Sequence, residues 1–289
     1  MKNLILLSLI TLNLVHAIEI ETNTYADIKA KVVEKVKKYG AKNTLLVLDI
    51  DNTTLQMSQN FGSDQWWNWQ SENCIGAEKA PEFCVTTKFS ELLDIQGQIF
   101  ALSNMKPTEI STVATIKSIQ DMGVKVILLT SRGPDFRNAT ERALQINGLD
   151  FSKSAIGSSA GFGSTYIPYT LKNHQRYGLT KKEMKLSGNK KARPVSYMNG
   201  VFMTAGLNKG VMLKTLLKKT KSKFKAIVFA DDHKKHTIRM EQILADDVDL
   251  TSFRYGAIDP IVNAFKKSDK SDAKNAWNDF KSATSKVFK

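Results

Sequence analysis

Residues 44–54 read Thr-Leu-Leu-Val-Leu-Asp-Ile-Asp-Asn-Thr-Thr. The run from Thr44 to Leu48 is rich in strand formers and uninterrupted by charge, as expected of a strand covered on both faces in a parallel sheet. Polar residues then arrive abruptly, at Asp49, Asp51, Asn52 and Thr53. Side chains two positions apart on extended backbone project to the same side, so Asp49 and Asp51 can face one group together. In open α/β sheets, ligands sit beyond the carboxyl ends of the strands, which is where this pair falls.

The same pattern recurs outward from that stretch. Val124 to Leu129 is a second apolar run and closes in Thr130-Ser131-Arg132-Gly133; Phe224 to Ala230 is a third and closes in Asp231-Asp232; Leu250 to Tyr255 reads as a last strand. Helical spacing links Tyr25, Ile28, Val32, Val36 and Tyr39 ahead of Gly40. It also links Ile110, Val113, Ile116 and Ile119 in a helix expected to start near Pro107-Thr108, and Phe136, Ala139, Ala143 and Ile146 behind Pro134. Lys209 to Thr220, Ile238 to Leu244 and a lysine-rich tail complete the helices, with Lys209 opening its helix between the second and third strands. Strands alternating with helices predict an α/β fold with a doubly wound, Rossmann-like parallel sheet.

These strand ends, in this order, resemble the haloacid dehalogenase superfamily of phosphotransferases. LLVLDIDNTT matches its Asp-x-Asp-x-Thr motif, VILLTSRG its second motif, Lys209 its third, and IVFADD the Asp-Asp form of its fourth. The resemblance implies a metal-dependent phosphomonoester hydrolase acting on a phosphorylated small molecule or other phosphoester. Asp49 would be the nucleophile that forms an aspartyl-phosphate, and Asp51 the acid and base for leaving group and water. Mg²⁺ would be held by the Asp49 and Asp231 side chains and the Asp51 carbonyl, with Asp232 beside it. Thr130 and Lys209 would hold the transferring oxygens. One departure stands out: many relatives place another acid a few residues after the last Asp pair, where this chain has His233, Lys234, Lys235 and His236.

Composition sets the outer bounds. Hydrophobic residues make up 42% and charged residues 24%, ordinary globular values that exclude wholesale disorder, collagen and coiled coil. Two inserts interrupt the alternation. The first, about 54–106, occupies the cap position after the first strand and carries six acids against three bases. Its Trp66, Trp67 and Trp69 are either a wall for an aromatic group or the insert's own core. The second, about 157–206, interleaves Tyr166, Tyr169, Tyr177 and Tyr197 with bases. The net charge of +14 is concentrated between Lys172 and Lys225, where fifteen Lys or Arg meet a single acid, Glu183. Such a lobe attracts anions and makes contact with an acidic surface or polyanion an expectation for 172–225.

Met1 to Ala17 reads as a signal peptide: Lys2, an apolar stretch from Leu4 to Val15, then Val15-His16-Ala17. The expected mature domain is 18–289, exported to a periplasm or secreted. Cys74 and Cys84, with nine residues between them, are expected to form a disulfide in that oxidising compartment. No later stretch approaches the roughly 20 apolar residues of a spanning helix, so no integral membrane segment is expected. Two rival readings stand beside the phosphatase. Gly157-Ser158-Ser159-Ala160-Gly161 matches the elbow of serine hydrolases, with Ser159 as nucleophile. A non-catalytic binding protein on the same scaffold would use the basic lobe to recognise polyanions or acidic membranes.

Overall fold

The computed structural model describes residues 18–287; the expected leader, Met1 to Ala17, lies outside them. Strand β1 (Ile18–Thr22) leads into helix α1 (Tyr25–Tyr39). The Thr24 side chain caps that helix by accepting from the Ala26 N–H, and Gly40, at φ 82°, ends it. Strand β2 (Thr44–Leu48) is buried at every position. The first insert then supplies β3 (Leu55–Met57), α2 (Asp64–Asn73), α3 (Phe89–Leu102) and β4 (Met105–Pro107), with β3 and β4 paired antiparallel. Next come α4 (Thr112–Asp121), β5 (Lys125–Thr130) and α5 (Arg137–Ile146). The second insert holds α6 (Lys181–Leu186) and the hairpin β6 (Ser196–Met198) and β7 (Val201–Met203). The chain closes with α7 (Lys209–Thr220), β8 (Ala226–Asp231), α8 (Lys234–Leu244), β9 (Asp249–Tyr255), α9 (Asp259–Lys267) and α10 (Ser271–Val287).

Seven strands form the central sheet in the order β1-β9-β8-β2-β5-β7-β6, every neighbouring pair parallel except β6 with β7. Alternation along the central strands splits the core in two. Leu46, Leu48, Val126, Leu128 and Val228 pack with α1, α4, α5 and the first insert on one face. Leu45, Val47, Ile127, Leu129, Ile227 and Phe229 pack with α7, α8 and the second insert on the other. Each fully buried aliphatic side chain contributes about 1.5–3 kcal/mol, so apolar β2, with helices above and below, can only be central. The doubly wound arrangement agrees with the alternation of the sequence, and β2 lies at the switch point between β5 and β8.

Several local expectations are corrected. The helix expected from Pro107-Thr108 begins at Thr112, and Ile110 is fully exposed. Thr108 and Glu109 are instead committed to a junction. Thr108 Oγ1 donates to the Thr53 carbonyl, and the Glu109 carboxylate accepts from the Tyr25 N–H and the Tyr255 hydroxyl. Strand β1 was not anticipated, and the second insert, which the sequence leaves open, contains the β6–β7 hairpin. The hairpin turns on Asn199 (φ 50°) and Gly200 (φ 75°), the left-handed pair that a two-residue hairpin needs. A side chain at Gly200 would also strike the Phe151 carbonyl oxygen at 2.6 Å.

The tryptophans belong to the packing of the first insert. Trp66 is buried edge-on to Phe61, Trp67 meets Phe89, and Trp69 stacks on Phe83 and touches Phe265 of α9. Cys74 and Cys84 form a disulfide across a Cα separation of 5.5 Å. Among the described residues, no helix is long and apolar enough to cross a membrane.

Candidate functional site

The site forms where β2, β5 and β8 end. Asp49 follows β2 and is held by its own backbone: its N–H donates to the Ala230 carbonyl at 3.0 Å, and its carbonyl accepts from Thr54 Oγ1 at 2.6 Å. The chain then folds back around the Ile50 carbonyl, which accepts from the Thr53, Thr54 and Leu55 N–H groups. Asn52 takes φ 55° in this turn, a left-handed conformation that Asn tolerates better than most residues. Tyr25, fully buried, donates its hydroxyl to the Thr53 carbonyl and Thr54 Oγ1, fixing the loop from below.

Lys209, only 1% exposed, places Nζ 2.6 Å from Asp49 Oδ1 and 2.6 Å from Asp231 Oδ2. It is the first residue of α7, whose cap is Asn208. A cation at a helix N-terminus opposes the helix dipole, so its position is sustained by the two carboxylates. Asp231 is buried completely and also accepts from the His233 N–H at 2.9 Å, and His236 Nδ1 lies 3.0 Å from both of its oxygens. Asp232 N–H donates to Thr53 Oγ1 at 3.0 Å, tying the end of β8 to the loop after β2. Carboxylate oxygens of Asp49, Asp231 and Asp232 lie within 4.8 Å of one another, and Asp232 Oδ1 is buried with no hydrogen-bond partner.

The electrostatics follow from two carboxyl groups on one ammonium, with a third, Asp232, beside them. Burial pushes the Asp49 carboxyl up to about 7, with Lys209 opposing and the neighbouring carboxylates adding to the rise. Burial also lifts Asp232 well above the carboxylate range. Asp231 goes the other way: burial acts against its charge, but Lys209 and His236 hold it below the usual range. Burial and the Lys209 charge lower His236 to about 4, so at neutral pH it is uncharged and donates from Nδ1 to Asp231. Burial would lower His233 too, yet the Asp64 and Asp232 carboxylates raise it to about 9. Asp49, Asp231 and Asp232 together could hold a metal ion.

Of the residues expected at the site, Asp49, Lys209 and Asp231 are in direct contact, and Asp232 adjoins them. Asp51 is less deeply buried, and Arg132 Nε and Nη2 donate to its two oxygens at 2.9 and 2.7 Å. Thr130 ends β5 and is buried; its hydroxyl accepts from the Arg132 N–H at 3.1 Å and makes no hydrogen bond to Asp49. Ser159 lies in a turn, with no strand before it and no helix directly after, the two elements an elbow nucleophile needs.

Three residues of the site were not anticipated from the sequence in these roles. Arg132 stood in the quoted TSRG, but nothing marked it as the partner of Asp51. His236 marked only a departure from the expected pattern. Asp64 carried no signal at all: it opens α2 in the first insert and reaches His233 Nε2 at 3.1 Å, joining insert to sheet at the edge of the acidic cluster.

No curated protein matches the chain, and no solved structure does. A family model described as "Protein of unknown function (DUF2608)" matches residues 21–287, from β1 through α10. The chain with this Asp49–Lys209–Asp231 cluster therefore belongs to the DUF2608 family.

Proposed function

We propose that this chain is a metal-dependent phosphomonoester hydrolase that works through an aspartyl-phosphate on Asp49. The observation that carries the reading is Lys209 bridging Asp49 and Asp231 at 2.6 Å each, at the carboxyl ends of adjacent strands. The donor set fits a hard divalent cation: oxygen ligands from Asp49, Asp231 and Asp232, with a buried Asp232 oxygen in want of a partner. Those residues would hold Mg²⁺, which when bound neutralises phosphate charge and polarises the phosphoryl group.

The chain's own residues divide the rest. An Asp49 oxygen attacks phosphorus as the bond to the leaving oxygen breaks, and Asp51 gives that oxygen its proton. A water then attacks the same phosphorus, Asp51 takes the water's proton, and the Asp49 carboxylate is restored. Lys209 keeps Asp49 aimed and, with the Thr130 hydroxyl, offers donors to the transferring oxygens. Export belongs to the same reading, supported by the apolar leader at 4–15 and the Cys74–Cys84 disulfide. A second reading, contact with a polyanion or acidic surface, is supported by the exposed bases of the second insert, among them Lys172, Lys181, Lys190 and Arg193.

Phosphate release from an aryl phosphate by purified residues 18–289, with Mg²⁺ and with excess chelator, tests the proposal. Turnover that chelator abolishes is expected. Full activity in chelator would remove the metal role, and inactivity across a phosphoester panel would favour the binding-protein reading.

A further inference from the structure

We propose that Arg132 is the positioning residue for Asp51, and that the first insert sets the direction of that acid through the Arg132 guanidinium. The inference rests on the phosphatase reading and adds what the cap does to the chemistry.

Arg132 is an unusual residue to find at a strand end: its side chain is 4% exposed, against 20% for Asp51. Every part of the guanidinium is engaged. Nε and Nη2 take the two Asp51 oxygens, Nη1 donates to Thr140 Oγ1 of α5 at 2.9 Å, and Nη2 also lies 3.1 Å from Met105 Sδ of β4. Its flat face rests on the Phe100 ring of α3, 3.9 Å from the centroid. Met105 and Phe100 both belong to the first insert. The guanidinium is thus gripped from one side by the cap and from the other by α5, with its fork on the carboxylate.

A two-point fork fixes a carboxylate in rotation as well as in place, which a point charge cannot do. It uses one lone pair on each Asp51 oxygen and leaves the others for the open side, where the leaving oxygen would stand. Misplacing a reacting group by about 1 Å costs on the order of 10²-fold in rate. The loss should depend on how much the reaction needs the proton. A phenolate leaves without much help, whereas an alkoxide does not. Arg132 does not touch the transferring phosphorus in this arrangement; it acts through Asp51.

The test compares full mature protein, with Mg²⁺, on 4-nitrophenyl phosphate and on an alkyl phosphate such as glycerol 2-phosphate. Arg132→Lys keeps the charge and loses the fork, and should cut kcat/KM, which reads the step that releases the leaving group, about tenfold or more on the alkyl ester beyond its effect on the aryl ester. Phe100→Leu, which removes the ring beneath the guanidinium, should show the same selectivity more weakly. In an Asp51→Asn background, Arg132→Lys should add no further discrimination between the two esters. Equal losses of kcat/KM on both esters, or discrimination that persists without Asp51, would overturn the inference and leave Arg132 a merely structural tie. If Arg132→Lys fails to fold, Phe100→Leu decides on the same criterion. Wild-type protein inactive on both esters would sink the phosphatase reading itself, a different result from active wild type with unselective variants.

Discussion

Lys209 Nζ, in the first turn of α7, lies 2.6 Å from Oδ1 of Asp49, which follows β2. The two residues are 160 positions apart, and the contact exists only because β2 and β8 are neighbours and α7 is the crossover that enters β8. A buried ammonium at a helix N-terminus violates local preference. Its placement is sustained by the Asp49 and Asp231 carboxylates that it bridges.

Asp49→Asn is expected to abolish turnover, by at least about 10³-fold, since an amide cannot serve as the carboxylate nucleophile. The protein should remain folded, because the amide oxygen still accepts from Lys209 in the same position. Circular dichroism beside initial rates checks both halves. Near-normal rates in this variant would remove Asp49 from the chemistry.

Asp231 and Asp232 should respond oppositely to removal of their charge in metal-free protein. Asp231 accepts from Lys209, His236 and the His233 N–H. Asp231→Asn therefore breaks a buried network and should cost about 3–5 kcal/mol. Asp232 Oδ1 has no partner, so Asp232→Asn should cost little or stabilise. Wild type should gain thermal stability with Mg²⁺ by mass action, and Asp232→Asn should gain less. Denaturant melts with and without Mg²⁺ measure all of these, and an unchanged Mg²⁺ response in Asp232→Asn would count against its place at the metal.

The tie between α1 and the start of β9 predicts a pH dependence. Asp249 accepts from Lys35 Nζ at 2.7 Å and the Tyr39 hydroxyl at 2.8 Å. Burial opposes its charge, but these partners hold the carboxyl below its ordinary 3.8. A depressed carboxyl contributes stability that is present above its unfolded value and is lost as pH falls through the folded one. Asp249→Asn should therefore destabilise by about 1–2 kcal/mol at pH 7, and the gap to wild type should close as acid is added below pH 3.8. A gap that stays constant into acid would show that the ion pair is not its source.

The disulfide should matter to the cap more than to the fold. On the chain-entropy model a loop this short gains about 2–3 kcal/mol from closure. The same loop is also pinned by Gln70, whose side chain donates to the Phe83 carbonyl and accepts from the Val85 N–H, each at 3.0 Å. A Cys74→Ser, Cys84→Ser double variant should fold, lose at most that energy, and still hydrolyse a small aryl phosphate. Its preference among larger phosphoesters should shift. An identical substrate panel would separate the bridge from specificity.

The sheet was legible because its central strands carry uninterrupted apolar runs that end in polar residues at the switch point. Lys209–Thr220 matched its helix residue for residue, since Asn208 caps it and apolar spacing sustains it. The edges were not legible. β1 and the β6–β7 hairpin are short and gain their order from neighbours such as β9 and Phe151. Ile110 misled because its spacing continued a helical stripe, while Glu109 beside it was held by Tyr25 and Tyr255, residues far away in sequence. At the site, the strand-end acids stood out by position, but Arg132 and Asp64 act through partners 81 and 169 residues distant. Pairing at such range leaves no periodic trace.

The most direct test of the aspartyl-phosphate route is to look for phosphate on Asp49. Wild-type protein with Mg²⁺ would be mixed with an aryl phosphate, quenched in acid during turnover, and digested for peptide mass spectrometry. One phosphoryl group is expected on Asp49, within residues 44–54, and none in Asp49→Asn. Turnover with no label on Asp49, or with the label on another residue such as Ser159, would contradict that route.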